Sequence, residues 1–503
     1  MNKKVKLRRI TFLIILLLSM IVLVAKSMAH RDEDTSSTPN SFELENWDSN
    51  WEKVKHNYEQ IALTPGKDES ELNFGWYSKK PGEAKIRFSE SHNRNHPVLF
   101  EGTSQRCKQM NGTDYYSNKV TVTALRPNHV YYYQYYLNGK WTEEVKYETK
   151  DIEEFSFLFV GDPQIGASLG QSTSSNSNPL TEEEASKKDA FHWNATLETA
   201  VKAYPKISFV LSAGDQVNEM VKKKTREQDS LQEMQYAGFL SPKLLTSLPV
   251  ATTIGNHDCL TSNYQNHFNN PNSFLQATTP SIAGYNYYFT YGDVLFLFLD
   301  GNNTNGKDHE EFLKKATKAN PNVKWRIVTL HQDIYGYGVN HAATDGMVLR
   351  TQLTPMMDTY GIDVVLQGHD HTYSRSYQLV GDGQEHQFYD DKVDLRNPQS
   401  YKEFYLQNQC YKIVTPYKNR SDHTVYRPKG VVYIEGGSST GSKYYEGKRS
   451  GFSYISFKSL IYNPNYSVIN ITDTSFSINT YDVITGNRLD NYTIMKSDKP
   501  KNK

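Results

Sequence analysis

The feature that most constrains this 503-residue chain is a series of short apolar runs separated by polar or helical stretches. Phe155–Val160, Ile207–Leu211, Val250–Ile254, Val294–Leu299, Trp325–Leu330, Ile362–Leu366 and Val431–Ile434 are four to six residues long and rich in β-branched and aromatic side chains. That length and composition suit strands buried on both faces. Ala185–Ala203 and Thr225–Leu245 have the composition of connecting helices. Buried strands alternating with helices predict a layered α/β domain.

Five of these runs end in residues that carry chemistry. The ends read Gly161-Asp162-Pro163-Gln164, Gly214-Asp215-Gln216-Val217-Asn218, Gly255-Asn256-His257-Asp258, His331-Gln332-Asp333 and Gly368-His369-Asp370-His371. One Gly-Asp at a strand end is ordinary turn or cap chemistry. Five in order, all bearing oxygen or imidazole donors, is different, because ligands in open α/β sheets gather beyond the carboxyl ends of the strands. Carboxylate, amide and imidazole donors together suit iron, zinc or manganese. For His369 and His371 to face one cleft, the loop is expected to turn at Asp370.

The rest of the chain frames that domain. Met1–Arg9 holds five basic residues, Ile10–Ala25 is a predominantly apolar run, and Ser27-Met28-Ala29 has the small-x-small form of a cleavage site. Residues 1–29 therefore read as a signal peptide or an uncleaved anchor, and either places the remainder outside the cytoplasm. Residues 30–54 are polar and read as a flexible linker. From 55 to 150 the pattern is that of half-buried strands, as in Leu72–Trp76 and Ala84–Phe88, punctuated by Pro-Gly and Asn-Gly turns. Leu125-x-Pro127 followed by Tyr131 matches the corner of a fibronectin type III-like sandwich, where a tyrosine hydroxyl ties back to nearby backbone. This module is read as structural support for the next domain. Residues 153–498 are read as the α/β domain, with a polar, aperiodic surface insertion expected at about 381–419.

Lys+Arg and Asp+Glu both total 56, so no global charge favours nucleic acid, and none is expected as a partner. A membrane enters only through the N-terminal segment if it is uncleaved. Three cysteines, Cys107, Cys259 and Cys410, exclude a disulfide scaffold and leave room for one bridge at most. Abundant Lys, Asn and Tyr fit a bacterial source with low GC content.

The order GD, GD, GNHD, H and GHDH resembles the calcineurin-like metallophosphoesterase superfamily. Together with Ile61–Gly66 in a preceding sandwich and the run Gly368–Ser376, it resembles the purple acid phosphatases within it. The resemblance implies an N-terminal β-sandwich followed by a four-layer αββα domain. It also implies two metal ions and hydrolysis of a small phosphate ester by attack of a metal-bound hydroxide, as in an acid phosphatase. By the same resemblance one ion takes Asp162, Asp215 and His371, and the other takes Asp215, Asn256, His331 and His369. His257 then serves the leaving group with Asp258 orienting its ring, and His341 contacts substrate. Two positions depart from the pattern. Gln164 stands where a ligand histidine is frequent, so it is either a weak ligand or only a hydrogen-bonding neighbour. Asn218 stands where a tyrosinate would colour a ferric centre, which argues against a purple site. Tyr373 and Arg375 are read as supports of the last loop. Gly436–Gly441 is read as a turn beside the site, since Ser442 replaces the lysine a P-loop needs. Two alternatives stay open: a phosphodiesterase or nucleotide hydrolase of the same fold, and a cell-surface binding protein with a degenerate metal site.

Overall fold

Alternation and turn chemistry at residues 55–150 produce two antiparallel sheets packed face to face. The computed structural model describes residues 41–498 apart from 93–95, 173–177, 339–340, 343–344, 385, 387–406, 415–422, 449–450 and 460. One sheet orders Ala62–Pro65, Leu72–Ser78, Thr113–Val122 and Thr103–Met110; the other holds Val98–Glu101, Lys85–Ser89, Val130–Leu137 and Lys140–Trp141, with Val145–Glu148 beside Val130–Leu137. Phe74, Trp76, Ile86, Val120 and Tyr133 fill the space between them. The expected corner is present, since Tyr131 Oη accepts the Arg126 backbone N–H at 2.9 Å.

The α/β domain is built on two seven-stranded sheets. In the first, Phe155–Val160, Ile207–Ser212 and Val250–Thr252 run parallel, and Asn465–Ile471 pairs antiparallel to the first of these. In the second, Val294–Leu299, Trp325–Leu330, Val364–Gln367 and Val432–Glu435 run parallel. An aromatic and aliphatic core that includes Phe157, Phe209, Phe296, Ile327, Leu366 and Ile434 joins the inner faces. Leu313 and Phe312 from helix Gly306–Ala319, with Leu353 and Met357 from helix Asp345–Thr359, cover the outer face of the second sheet. Helix Glu182–Ala203, started by a Thr181/Glu184 capping box, lies against Asn465–Ile471 of the first sheet and packs Trp193 on Phe239 of helix Arg226–Leu240. The αββα layering follows because each sheet has one face for the shared core and one for helices.

One expectation is corrected by the structure. The linker expected at 30–54 is not flexible throughout, because Ser41–Val54 is a helix. Trp47, Trp51 and Val54 recur at i, i+4 and i+7, a helical spacing within a polar composition, and Trp51 and Val54 are buried. The expected segment at 1–29 and the first part of the linker lie outside the described residues. So does most of the 381–419 insertion, of which the described Lys412–Ile413 pairs antiparallel with Leu379–Val380 just before it. Cys107, Cys259 and Cys410 are all free thiols. Among the described residues no helix is long and apolar enough to cross a membrane.

The sandwich is tied to the α/β domain by a buried charge cluster. Lys108 on strand Thr103–Met110 reaches Asp229 Oδ1 at 3.0 Å, Asn263 Oδ1 at 2.6 Å and Glu233. Glu233 also faces His267 Nε2 at 2.8 Å and accepts from Tyr77 Oη at 3.2 Å, while Tyr77 stacks on His267. Burial pushes the Glu233 carboxyl up, but Lys108 and His267 outweigh it and hold it at about 2. A depressed carboxyl stabilises the fold fully above its unfolded value and loses that contribution as the pH falls. Lys108→Ala, which strands Glu233 without its cation, is expected to cost about 3–5 kcal/mol in denaturant unfolding at pH 7. The difference from wild type should shrink as the pH drops from about 4.5 towards 2.

Candidate metal centre

The five loops meet at one end of the parallel strands. Several of their key residues sit on left-handed backbone: Asp162 (φ 26°), Gln164 (φ 35°), Asp215 (φ 46°), His369 (φ 80°) and His371 (φ 50°). Asp and His tolerate this region better than branched residues do, and clustering of such conformations marks functional sites. The chain also bends at His369–Asp370 as expected, with the Asp370 N–H on Gly368 O at 3.1 Å. The two histidines themselves carry the left-handed conformations that bring their rings to one cleft. Glycine is required where loops touch. A Cβ on Gly255 would lie 2.0 Å from Asp215 Oδ1, and one on Gly368 would lie 2.3 Å from Asp162 Oδ1.

Backbone carbonyls set the histidine tautomers. His331 Nδ1 donates to Ala213 O at 3.0 Å, and His371 Nδ1 donates to Lys443 O at 2.8 Å. Each ring therefore turns its Nε2 lone pair inward. His331 Nε2 faces Asn256 Oδ1 at 2.9 Å, Asp215 Oδ2 at 3.3 Å and His369 Nδ1 at 3.1 Å. His371 Nε2 faces Asp162 Oδ2 at 3.1 Å. Asp162 also accepts the His369 backbone N–H at 2.9 Å, and Asp215 Oδ1 accepts that of His257 at 2.9 Å. Asp162, Asp215, His331, His369 and His371 are all buried.

Acceptor atoms facing one another in a buried space repel unless a positive charge lies among them. Burial alone would lower the His331 pKa, but Asp215 and Asp162 outweigh it and raise it to about 10. Burial opposes ionisation of Asp215 as well, yet His331 and His257 hold that carboxyl well below the usual range. The cluster thus demands cationic charge, and Asp215, His331 and His369 offer ligand atoms within 4.8 Å of one another. The mixed imidazole, carboxylate and amide donors fit a transition metal.

The residues beside the cluster divide differently from expectation. His257 Nδ1 donates to the Asn218 backbone carbonyl, and its Nε2 accepts from Gln164 Nε2 at 3.0 Å. Asp258 does not orient that ring. Its Oδ1 accepts from Tyr236 Oη at 2.7 Å and its Oδ2 from the Gly255 N–H at 3.0 Å, so it braces the loop from beneath. Burial and the Asp215 charge push Asp258 up to about 7. Gln164 is buried and hydrogen-bonds His257, while its Oε1 has no hydrogen-bond partner and suits a cation. His341 lies over His369 with ring centroids 3.7 Å apart, at the edge of the site. Tyr445 packs edge-on to both His341 (5.5 Å) and His371 (5.4 Å). Sequence reasoning missed Tyr445 and the carbonyls of Ala213, Asn218 and Lys443. No side-chain pattern could have found a carbonyl, because every residue has one. Tyr373 and Arg375 are supports as expected: Tyr373 Oη reaches Asp490 at 3.1 Å, and Arg375 donates to both oxygens of Asp490 at 2.8 and 3.1 Å. The Gly436–Gly441 turn packs on the first loop through Ser439 N to Gly161 O at 3.0 Å and Thr440 Oγ1 to Pro163 O at 2.8 Å.

Residues 155–373 match the calcineurin-like phosphoesterase family, and residues 58–149 match the purple acid phosphatase N-terminal domain. The chain therefore carries a calcineurin-like phosphoesterase domain preceded by a purple acid phosphatase N-terminal domain. Among its relatives is an uncharacterized protein of Mycobacterium tuberculosis, 27% identical over 156 residues that cover 26% of this chain and 29% of that protein's length. The fold is similar to that of a purple acid phosphatase from yellow lupin (Lupinus luteus) seeds, with a TM-score of 0.54, 17% identity and coverage of 87% of this chain and 74% of that one. It is also similar to that of PhoD, with a TM-score of 0.50, 14% identity and coverage of 88% and 94%.

If His331 and Asp215 hold a metal, the ion displaces a proton, so apparent metal affinity should rise with pH. A raised histidine pKa stabilises the metal-free fold fully below about 6.5 and ceases to do so as the pH climbs through about 10. Metal-free protein should lose stability across that window, and metal-loaded protein should not. Asp215→Asn should leave at most one transition metal per chain by mass spectrometry, with an unchanged circular dichroism spectrum.

Proposed function

We propose that the protein is an exported dinuclear metallophosphoesterase that hydrolyses small phosphate monoesters in the manner of an acid phosphatase. One observation carries this reading. The inward Nε2 atoms of His331 and His371 face the oxygens of Asp215 and Asp162 in a buried space where a metal ion can take the place of the proton on His331. Asp162, Asp215 and His371 would hold one ion, with Gln164 Oε1 beside them. Asp215, Asn256, His331 and His369 would hold the other. When bound, two such ions would supply an activated water and a clamp for phosphate oxygens.

The chain's own residues do the rest. His257 keeps its Nδ1 proton on Asn218 O, which leaves Nε2 as the atom that exchanges a proton with the leaving-group oxygen. With Nε2 unprotonated, Gln164 Nε2 donates to it and holds the ring in place, and that bond gives way when Nε2 carries a proton. His341 and Tyr445 line the entrance over His369 and His371, where they can orient the ester. Export is supported by the basic start and apolar run of residues 1–25, and the zero net charge favours a small substrate over a polyanion.

Aryl phosphate hydrolysis by the metal-loaded protein tests the reading. Asp215→Asn or His369→Ala should lower kcat/KM by about a thousandfold or more, the equivalent of several kcal/mol of transition-state stabilisation. His257→Ala should cost about 10²–10⁴-fold with alkyl phosphates and much less with p-nitrophenyl phosphate, whose leaving group needs no proton. Full activity in both metal-ligand variants would overturn the assignment. Faster turnover of diesters than of monoesters would overturn the choice of substrate.

A further inference from the structure

A second group of buried acids lies in the same loops and takes no part in the site described above. Asp333 follows His331 by two residues, Asp370 sits between His369 and His371, and Glu435 ends the strand Val432–Glu435. All three are fully buried, and each presents a carboxylate oxygen within 4.8 Å of the other two. Like charges that close in a buried space repel strongly unless something neutralises them. Asp370 Oδ2 accepts the Ala342 N–H at 3.2 Å, but Asp370 Oδ1 has no hydrogen-bond partner. Glu435 accepts from Thr372 Oγ1 and Ser374 Oγ at 2.8 Å each and from the Tyr337 N–H at 2.9 Å. Among the described residues no lysine or arginine forms an ion pair with Asp370 or Glu435.

We propose that Asp333, Asp370 and Glu435 form a separate binding site for a hard divalent cation, calcium, that braces the loops bearing His331, His369 and His371. The donor chemistry selects the ion. All three side-chain donors are carboxylate oxygens, with hydroxyls from Thr372 and Ser374 alongside and no imidazole or thiolate among them. Such a set suits calcium or magnesium and not the softer metals of the neighbouring cluster. Calcium tolerates irregular oxygen cages completed by water, whereas magnesium demands a near-ideal octahedron. The placement gives the ion a role. Asp333 and Asp370 share loops with three histidines of the metal centre, so an ion between them fixes those loops from behind without touching substrate.

The test uses the full chain carrying Asp215→Asn, which removes the ligand shared by both ions of the neighbouring cluster and makes the result independent of any hydrolytic activity. After chelation, equilibrium dialysis with radioactive calcium should find one ion per chain. Adding Asp370→Asn should abolish that binding, and Glu435→Gln should weaken it about tenfold or more, as loss of ligand charge predicts. Saturating calcium should raise the Tm of the Asp215→Asn chain by roughly 2 °C or more and leave the Asp370→Asn double variant unchanged. If the double variants do not fold, the calcium-dependent shift in the Asp215→Asn chain decides alone. A chain that binds no calcium and shows no shift overturns the proposal. So does binding that survives both Asp370→Asn and Glu435→Gln. Calcium-independent stabilisation by Glu435→Gln would assign the cluster to a shared proton and would also overturn it.

Discussion

Asp215 is the group on which the rest of the α/β domain's working end depends. It leaves a parallel strand on left-handed backbone, accepts the His257 N–H with one oxygen and turns the other towards His331. A carboxylate in that position is expensive to bury. The surrounding loops supply what it needs: a backbone donor, a facing imidazole and a close approach by Gly255. The same demand for positive charge makes the cluster a place for cations.

Around this group the protein uses backbone more than side chains to set chemistry. Three carbonyls, of Ala213, Asn218 and Lys443, receive ring N–H groups from His331, His257 and His371. Each fixes a tautomer and so decides which nitrogen faces the cleft. Asp258, the acid beside His257 in sequence, spends its hydrogen bonds on Tyr236 and the Gly255 N–H and stiffens the loop itself. The bidentate Arg375–Asp490 pair does the same for the last loop by tying it to the strand Arg488–Met495. These contacts hold short polar loops in strained conformations at the edge of two well-packed sheets.

The sandwich domain contributes through an anchored interface. Lys108 and Tyr77 from the sandwich meet Glu233 from helix Arg226–Leu240 and the buried ring of His267. Helix Arg226–Leu240 also supplies Tyr236 to Asp258 and Gln235 to the N–H groups of Asn218 and Glu219. One helix thus links the domain interface to the second and third loops of the metal centre. This gives a physical meaning to a module whose strands carry no chemical cluster of their own.

The sequence by itself determined the strands, their order, the loops that follow them and the residue types available there. Short apolar runs can be buried in few ways, and Asp, Asn and His at strand ends declare their donors. It also determined the tyrosine corner, because Tyr131 bonds to backbone only five residues away. Only the tertiary structure decided which nitrogen of each histidine faces inward, that Asp258 serves the loop and not its neighbour, and that Tyr445 joins His341 and His371. It likewise turned part of an apparent linker into the helix Ser41–Val54. Those outcomes rest on carbonyls and packing partners far away in the chain. A backbone carbonyl looks the same in every residue, and a long-range partner leaves no local pattern, so the folded path alone could select them.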